Sequence, residues 1–159
     1  MTAIAYRDGV IACDRQVTWD CTTSITTKYR KIKIPGLGVC VVCMSGYAYG
    51  IDMIHEQLAE HSKGCGQDIG SMSRESRYGF VVTKDLHVHG LYGDGRVGPR
   101  EHHENGFFAE GGALAFLMGA MAFGATAEQA VKLACEHCNG CGYGVDVINV
   151  KEFLAYDDL

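Results

Sequence analysis

Short apolar runs separated by turn residues set the first third of the chain. Ile4 to Arg7 leads into Asp8-Gly9, a dipeptide that closes a two-residue hairpin, and Val10-Ile11-Ala12-Cys13 returns as a second strand ending at Asp14. A polar stretch without periodicity runs from Thr18 to Thr27. Lys31-Ile32-Lys33-Ile34 then alternates as a half-exposed strand does, Pro35-Gly36 turns, and Val39 to Met44 reads as a fully buried strand ending at Ser45-Gly46. Ile51, Ile54, His55, Leu58 and Ala59 recur at helical spacing and predict a helix over 47–62, which Gly64-Cys65-Gly66 breaks. The stretch 65–77 is weakly patterned and reads as a short helix or loop. Tyr78 to Val82 and Leu86 to Tyr92 read as strands, Asp94-Gly95 as a hairpin turn, and Phe107-Phe108-Ala109 as a short strand entering Gly111-Gly112. Helix is predicted from there to Phe123, with Gly124 closing it. Thr126 with Gln129 forms a capping-box signature for the next helix, which ends near His137 to Gly140; Val145 to Val150 is the last strand. Strands, two helical pieces, strands, two helices and a strand give an α+β chain, with helix pairs expected on the outer faces of a two-sheet sandwich.

Composition narrows the class. At 159 residues, one domain is expected. Charged residues at 21% and hydrophobic ones at 47% are ordinary for a globular protein, which excludes disorder as the organising feature. The net charge of −5 offers no basic surface for nucleic acid or anionic lipid. The uncharged stretch from Gly111 to Ala125 is 15 residues long, short of the roughly 20 needed to span a membrane, so it reads as a buried helix. Eight cysteines without an apolar leader at the start point to free thiols in a reducing, cytoplasmic setting rather than to a secreted disulfide framework. Twenty-one glycines against two prolines suggest many tight turns or close backbone approaches.

The candidate chemistry begins at Thr2. Removal of Met1 would leave a threonine carrying both a hydroxyl and a free α-amine. That amine has an unperturbed pKa of about 7.7–8 and can act as base for its own hydroxyl. Alone, a Met-Thr start carries almost no information. The surrounding pattern adds to it, because the Asp8-Gly9 hairpin returns Asp14 beside Thr2, Lys31 lies on the next strand, and Gly46 ends the one after. A carboxylate holds a lysine charged and fixed. The lysine lowers the pKa of a neighbouring amine or hydroxyl, and a glycine N–H at a strand-to-helix junction can receive a developing oxyanion.

The segments Thr2 to Thr18, Lys31-Ile32, Met44-Ser45-Gly46, Gly111 to Val131 and Gly144 to Val147 together resemble the proteasome β subunits and the related small bacterial and phage proteins. The resemblance covers most of the chain except about residues 62–77. It implies a four-layer αββα N-terminal-nucleophile hydrolase fold and a threonine-type peptidase that uses no cofactor. It also implies assembly into a homo-oligomeric ring around an enclosed chamber, with peptide or unfolded-protein substrates and an ATPase unfoldase as a partner. Carried over residue by residue, Thr2 is nucleophile and base, Asp14 and Lys31 the charge pair, and Gly46 the oxyanion donor. Lys28 and Lys33 compete for the lysine position, and Lys31 is preferred because Ile32 follows it and because of its distance before the glycine. Met44 and Tyr47 fall where the substrate side-chain pocket is expected, with core packing as the simpler reading. The family pattern has a serine before the helix-opening glycine pair, where this chain has Glu110. It has an aspartate and a serine before the last strand, where this chain has Asn139 and Gly142. Those substitutions motivate a second expectation, a ring or scaffold subunit without catalysis.

Two side-chain groups outside that pattern have alternative readings. Cys135, Cys138 and Cys141, with His137 among them, and the pair Cys40 and Cys43, have spacings that can ligate a metal; equally they read as small core residues, and no metal site is expected. His87, His89, His102 and His103 read as surface histidines of a hairpin region.

Overall fold

The computed structural model describes residues 1–19, 21–45, 77–93 and 95–156. The helix expected over 47–62 and the stretch 65–76 lie outside the described residues. The chain divides into two compact units: residues 1–28 with 103–149, and residues 29–102 with 150–159.

The first unit is built on a four-stranded antiparallel sheet. Strand β1 (Ile4–Arg7) pairs with β2 (Val10–Asp14) through the Asp8-Gly9 turn, whose two residues both have positive φ, as a type I′ hairpin requires. Strand β10 (Phe107–Glu110) flanks β1, and β11 (Val145–Asn149) flanks β2. The odd-numbered positions Ala3 and Ala5 share a core with Ala12, Phe107, Ala109 and two helices. Those helices are α1 (Leu114–Ala122) and α2 (Ala127–His137). Alanines on the sheet let the helices approach closely. Ile4, Tyr6, Ile11, Cys13 and Phe108, on the opposite face, are also buried. Burial on both faces explains why these strands read as continuous apolar runs rather than as alternating ones.

Local chemistry fixes the ends of the helices. The Thr126 hydroxyl accepts from Gln129 N at 3.1 Å, and the Gln129 side chain accepts from Thr126 N at 2.9 Å, the capping box expected from sequence. Ala127, Ala130, Val131 and Ala134 form the buried stripe of α2. Arg7 closes the end of α1: its Nη1 donates to Met121 O, in the last turn, at 2.7 Å and to Ala125 O, in the link to α2, at 2.9 Å.

The polar stretch from Thr18 to Thr27 holds structure that its sequence does not advertise. Strands β3 (Gln16–Trp19) and β4 (Thr22–Ile25) pair antiparallel as a separate ribbon, and every residue of β4 is exposed. A strand with neither face built into a core needs no period-two pattern.

The second unit is a five-stranded antiparallel sheet in simple order: β5 (Tyr29–Ile34), β6 (Gly38–Met44), β7 (Arg77–Thr83), β8 (Val88–Tyr92) and β9 (Val97–Glu101). Strand β9 is not among the expected elements; it carries Gly98 and Pro99, residues that disfavour a strand interior. It is an edge strand, where a missing N–H can face outward. Leu86, expected to open β8, instead has φ 64° and sits in the turn before it. Val150, expected to end the last strand, opens the short helix α3 (Val150–Phe153). No helix among the described residues is long and apolar enough to cross a membrane.

Candidate active site

Asp14 lies at the end of β2 and is completely buried. The strand register carries it opposite Ala3, directly after Thr2: Ile4 pairs with Cys13, and Asp14 N donates to Ala3 O at 3.0 Å. Its carboxylate gathers four donors. Oδ1 accepts from Ala3 N at 2.9 Å and from Lys28 Nζ at 2.5 Å. Oδ2 accepts from Gln16 N at 3.2 Å and from Gly142 N at 3.3 Å. A buried charge is tolerable only when paired and hydrogen-bonded in this way.

The lysine in this cluster is Lys28, not Lys31. Lys28 is 1% exposed, against Asp14 at 0%. The ribbon β3–β4 accounts for the difference. It folds the chain back so that Thr26 N donates to Arg15 O at 2.9 Å, which returns the backbone to the residue after Asp14. Lys28 follows by two positions. The preference for Lys31, drawn from Ile32 after it and from its distance before Gly46, falls three residues beyond the lysine that pairs with Asp14. Lys31, on β5, donates from Nζ to Tyr156 O at 3.2 Å and lies 4.9 Å from the centre of the Phe153 ring. Lys33 is exposed.

Thr2 is 9% exposed with Met1 attached. Its carbonyl accepts from Ala113 N at 3.2 Å, so a donor at the start of α1, which has no partner within the helix, is used to hold Thr2. Gly111, at φ +98°, lies so close that a Cβ there would overlap the Thr2 carbonyl and Cβ. Met1 itself rests on two further glycines. A Cβ at Gly112 would meet Met1 Cγ at 2.6 Å, and one at Gly140 would meet Met1 N and Cβ at 3.0 Å.

The remaining expected residues are placed as follows. Glu110 ends β10, opposite Ile4, and is 8% exposed, so it is a buried carboxyl next to the glycines that touch Thr2 and Met1. Asn139 is exposed at the turn after α2, and it is its neighbour Gly140 that contacts Met1. Gly142 contributes its backbone N–H to Asp14 rather than a side chain. Its loop is anchored by Arg15, whose N–H donates to the carbonyls of Gly142 and Gly144 and whose side chain pairs with Asp146. Met44 is wholly buried in the core of the five-stranded sheet, with Ile32, Val42, Val81 and Leu91. Gly46 and Tyr47 lie outside the described residues. The contributions of Lys28, Gly111, Gly112 and Gly140 are the ones sequence reading missed or ranked lower. Lys28 was visible as a competing lysine and Gly111-Gly112 as a helix-opening pair, while Gly140 was visible only as the end of a helix and within the glycine excess.

Among the described residues, no three His, Cys, Asp or Glu side chains gather closely enough to hold a metal ion. Burial pushes the Cys40 and Cys141 thiols up to about 11, with Asp14 adding to the effect at Cys141. Cys135 is raised by burial in the same way. A raised thiol pKa leaves little thiolate, the species that alkylates, at about pH 8. Brief treatment of the native protein with iodoacetamide at that pH is therefore expected to label exposed Cys21 well before Cys40 and Cys141; peptide mapping reads the order. His89, expected at the surface, is 9% exposed, and its Nδ1 lies 3.0 Å from Gly98 O. His103 stacks on Phe108 with ring centres 4.3 Å apart.

No protein-family model matches the chain, and no curated protein matches it. Solved structures do. The chain is similar to Thiobacillus denitrificans BPH, in complex with epoxomicin, at 19% identity over 92% of this chain and 96% of that one, with a TM-score of 0.57. It is similar to the eukaryotic HslV of Trypanosoma brucei at 18% identity, covering 92% and 97% of the two chains, with a TM-score of 0.60. The Anbu complex of Pseudomonas aeruginosa, described as a helical assembly, matches at 12% identity over 93% and 80%, with a TM-score of 0.59. The chain thus has the proteasome-like N-terminal-nucleophile hydrolase fold. At these identities the likeness is one of fold.

Proposed function

We propose that the protein is a threonine-type peptidase whose nucleophile is Thr2 after removal of Met1, working as a subunit of a homo-oligomer. The observation that carries this reading is the convergence, on one buried Asp14 oxygen, of the Lys28 ammonium and the amide N–H next to Thr2. Asp14 fixes the lysine through their buried ion pair. The lysine's positive charge lowers the pKa of an α-amine or hydroxyl beside it. Here Lys28 takes the role first assigned to Lys31, while Gly46 keeps that of oxyanion donor.

In this mechanism the α-amine takes the Thr2 hydroxyl proton as Oγ bonds to the substrate carbonyl carbon. The oxyanion collapses, the C–N bond breaks, and the same proton passes to the leaving amine. A water then gives its proton to the α-amine and its oxygen to the acyl carbon, and Oγ departs with the proton restored. Glu110 and Asn139 are retained as candidates for ordering that amine, Glu110 with the stronger case because it is buried. Met44 and Tyr47 remain the proposed pocket residues. The αββα stacking, a closed ring, an ATPase partner and a cytoplasmic location belong to the same proposal. The helical assembly of the Pseudomonas aeruginosa complex makes an open array the other outcome of an oligomer measurement.

The exposed Asn139 and the side-chain-free Gly142 favour, as the second reading, an assembly subunit without catalysis. Variants at Thr2 separate the two. Thr2→Ala is expected to abolish hydrolysis of fluorogenic peptides, by at least a thousandfold, with an unchanged melting temperature and oligomer mass. Thr2→Ser is expected to retain measurable turnover. Equal activity in all three proteins would refute the peptidase assignment.

A further inference from the structure

Met1, 51% exposed, rests in an open slot flanked by Gly112, at the start of the loop into α1, and Gly140, in the turn after α2. At both glycines the nearest atoms to an added Cβ, three at each, belong to Met1: Cβ, Cγ and Sδ at Gly112, and N, Cα and Cβ at Gly140. Among the described residues nothing else approaches these two positions as closely. The slot is therefore filled by the residue attached to the Thr2 nitrogen and is vacated when that residue leaves.

We propose that in the mature chain this slot is a substrate subsite, and that it takes the side chain on the leaving-amine side of the scissile bond, with preference for an unbranched apolar side chain of about methionine's size. The inference rests on Thr2 acting as nucleophile through its own α-amine. That amine must hand a proton to the departing nitrogen, which requires the two nitrogens to come within about 2.6–3.2 Å, directly or through one water. The residue bearing the departing nitrogen is thus the part of the substrate nearest the Thr2 nitrogen, and the space next to that nitrogen is the one Met1 fills. Its occupant in the unprocessed chain shows the size and chemistry the slot accepts. Glycine at both walls is what leaves room for it. Met1 Cβ, N and Cα lie nearest Gly140 and Met1 Cγ nearest Gly112, so the glycine-lined space follows an unbranched stem.

The test uses the full-length protein lacking Met1 and a set of quenched peptides with one fixed acyl side and a leaving residue varied among glycine, methionine, norleucine, valine and isoleucine. Methionine and norleucine are expected to exceed glycine and both β-branched residues by about tenfold in kcat/KM. Gly112→Ala, whose new methyl would lie 2.6 Å from the position of Met1 Cγ, is expected to bring the methionine-to-glycine ratio to one or below. A flat profile, or a ratio that Gly112→Ala does not move, overturns the subsite. Labelling of Thr2 by epoxomicin is followed in parallel. If Thr2 is labelled and the profile is flat, the subsite alone fails; if Thr2 is never labelled, the nucleophile assignment fails and the subsite with it.

Discussion

Lys28→Ala is expected to cost about 3–5 kcal/mol of stability, because it leaves a buried carboxylate without its cation. For a chain of this size that corresponds to a fall of roughly 10 °C in melting temperature. Asp14 is fully buried and Lys28 is 1% exposed, so water cannot replace the lost partner, and the three remaining backbone amides must hold the charge alone. Lys31→Ala removes one hydrogen bond to Tyr156 O and a contact with the Phe153 ring, worth about 1 kcal/mol or less. Peptide hydrolysis is expected to fall at least a hundredfold in the Lys28 variant and less than threefold in the Lys31 variant. The double variant Asp14→Asn with Lys28→Met removes both charges, and is expected to recover much of the lost stability and none of the activity. Thermal melts and kcat measurements on the four proteins decide the matter. Equal losses at the two lysines would return the charge-pair role to Lys31 or to neither.

Gly111→Ala is the second large effect. Two penalties coincide there: φ of +98° is strained for any residue with a side chain, at about 1–3 kcal/mol, and the new methyl would overlap the Thr2 carbonyl and Cβ. The overlap involves backbone on both sides, so it cannot be relieved by a side-chain rotation. Thr2 must move, and a displacement of about 1 Å at a reacting group costs on the order of a hundredfold in rate. Gly112→Ala is the internal comparison, since the three atoms nearest its methyl all belong to Met1 and the mature chain has lost that residue. A melting temperature several degrees lower and a kcat at least a hundredfold lower are expected for Gly111→Ala, and a stability change within about 1 kcal/mol for Gly112→Ala. The two variants behaving alike would mean that Gly111 does not hold Thr2.

Features with a local cause are legible in the amino-acid order. The Asp8-Gly9 turn needs positive φ at both residues and announces itself. The Thr126–Gln129 cap and the stripe from Ala127 to Ala134 lie within one helix. The hairpin register follows from the turn, so the amino-acid order alone is enough to put Asp14 beside Thr2. It is not enough for Lys28, whose position depends on the β3–β4 ribbon, and an exposed ribbon strand such as β4 carries no hydrophobic alternation. The proline-bearing edge strand β9 is hidden for a related reason: an edge tolerates residues that a central strand excludes. The glycines around Thr2 are visible as a count, yet their use depends on contacts between residues more than a hundred positions apart. His89 was misjudged because its partner, the Gly98 carbonyl, lies on that unexpected edge strand.

The most direct test of Thr2 as the nucleophile is the intact mass of the purified protein before and after incubation with epoxomicin, followed by mapping of the amino-terminal peptide. The expected result is a chain that begins at Thr2 and gains one probe per subunit, with the adduct confined to Thr2 and absent from Thr2→Ala. A chain that retains Met1, or one that begins at Thr2 and gains no mass there, would contradict it.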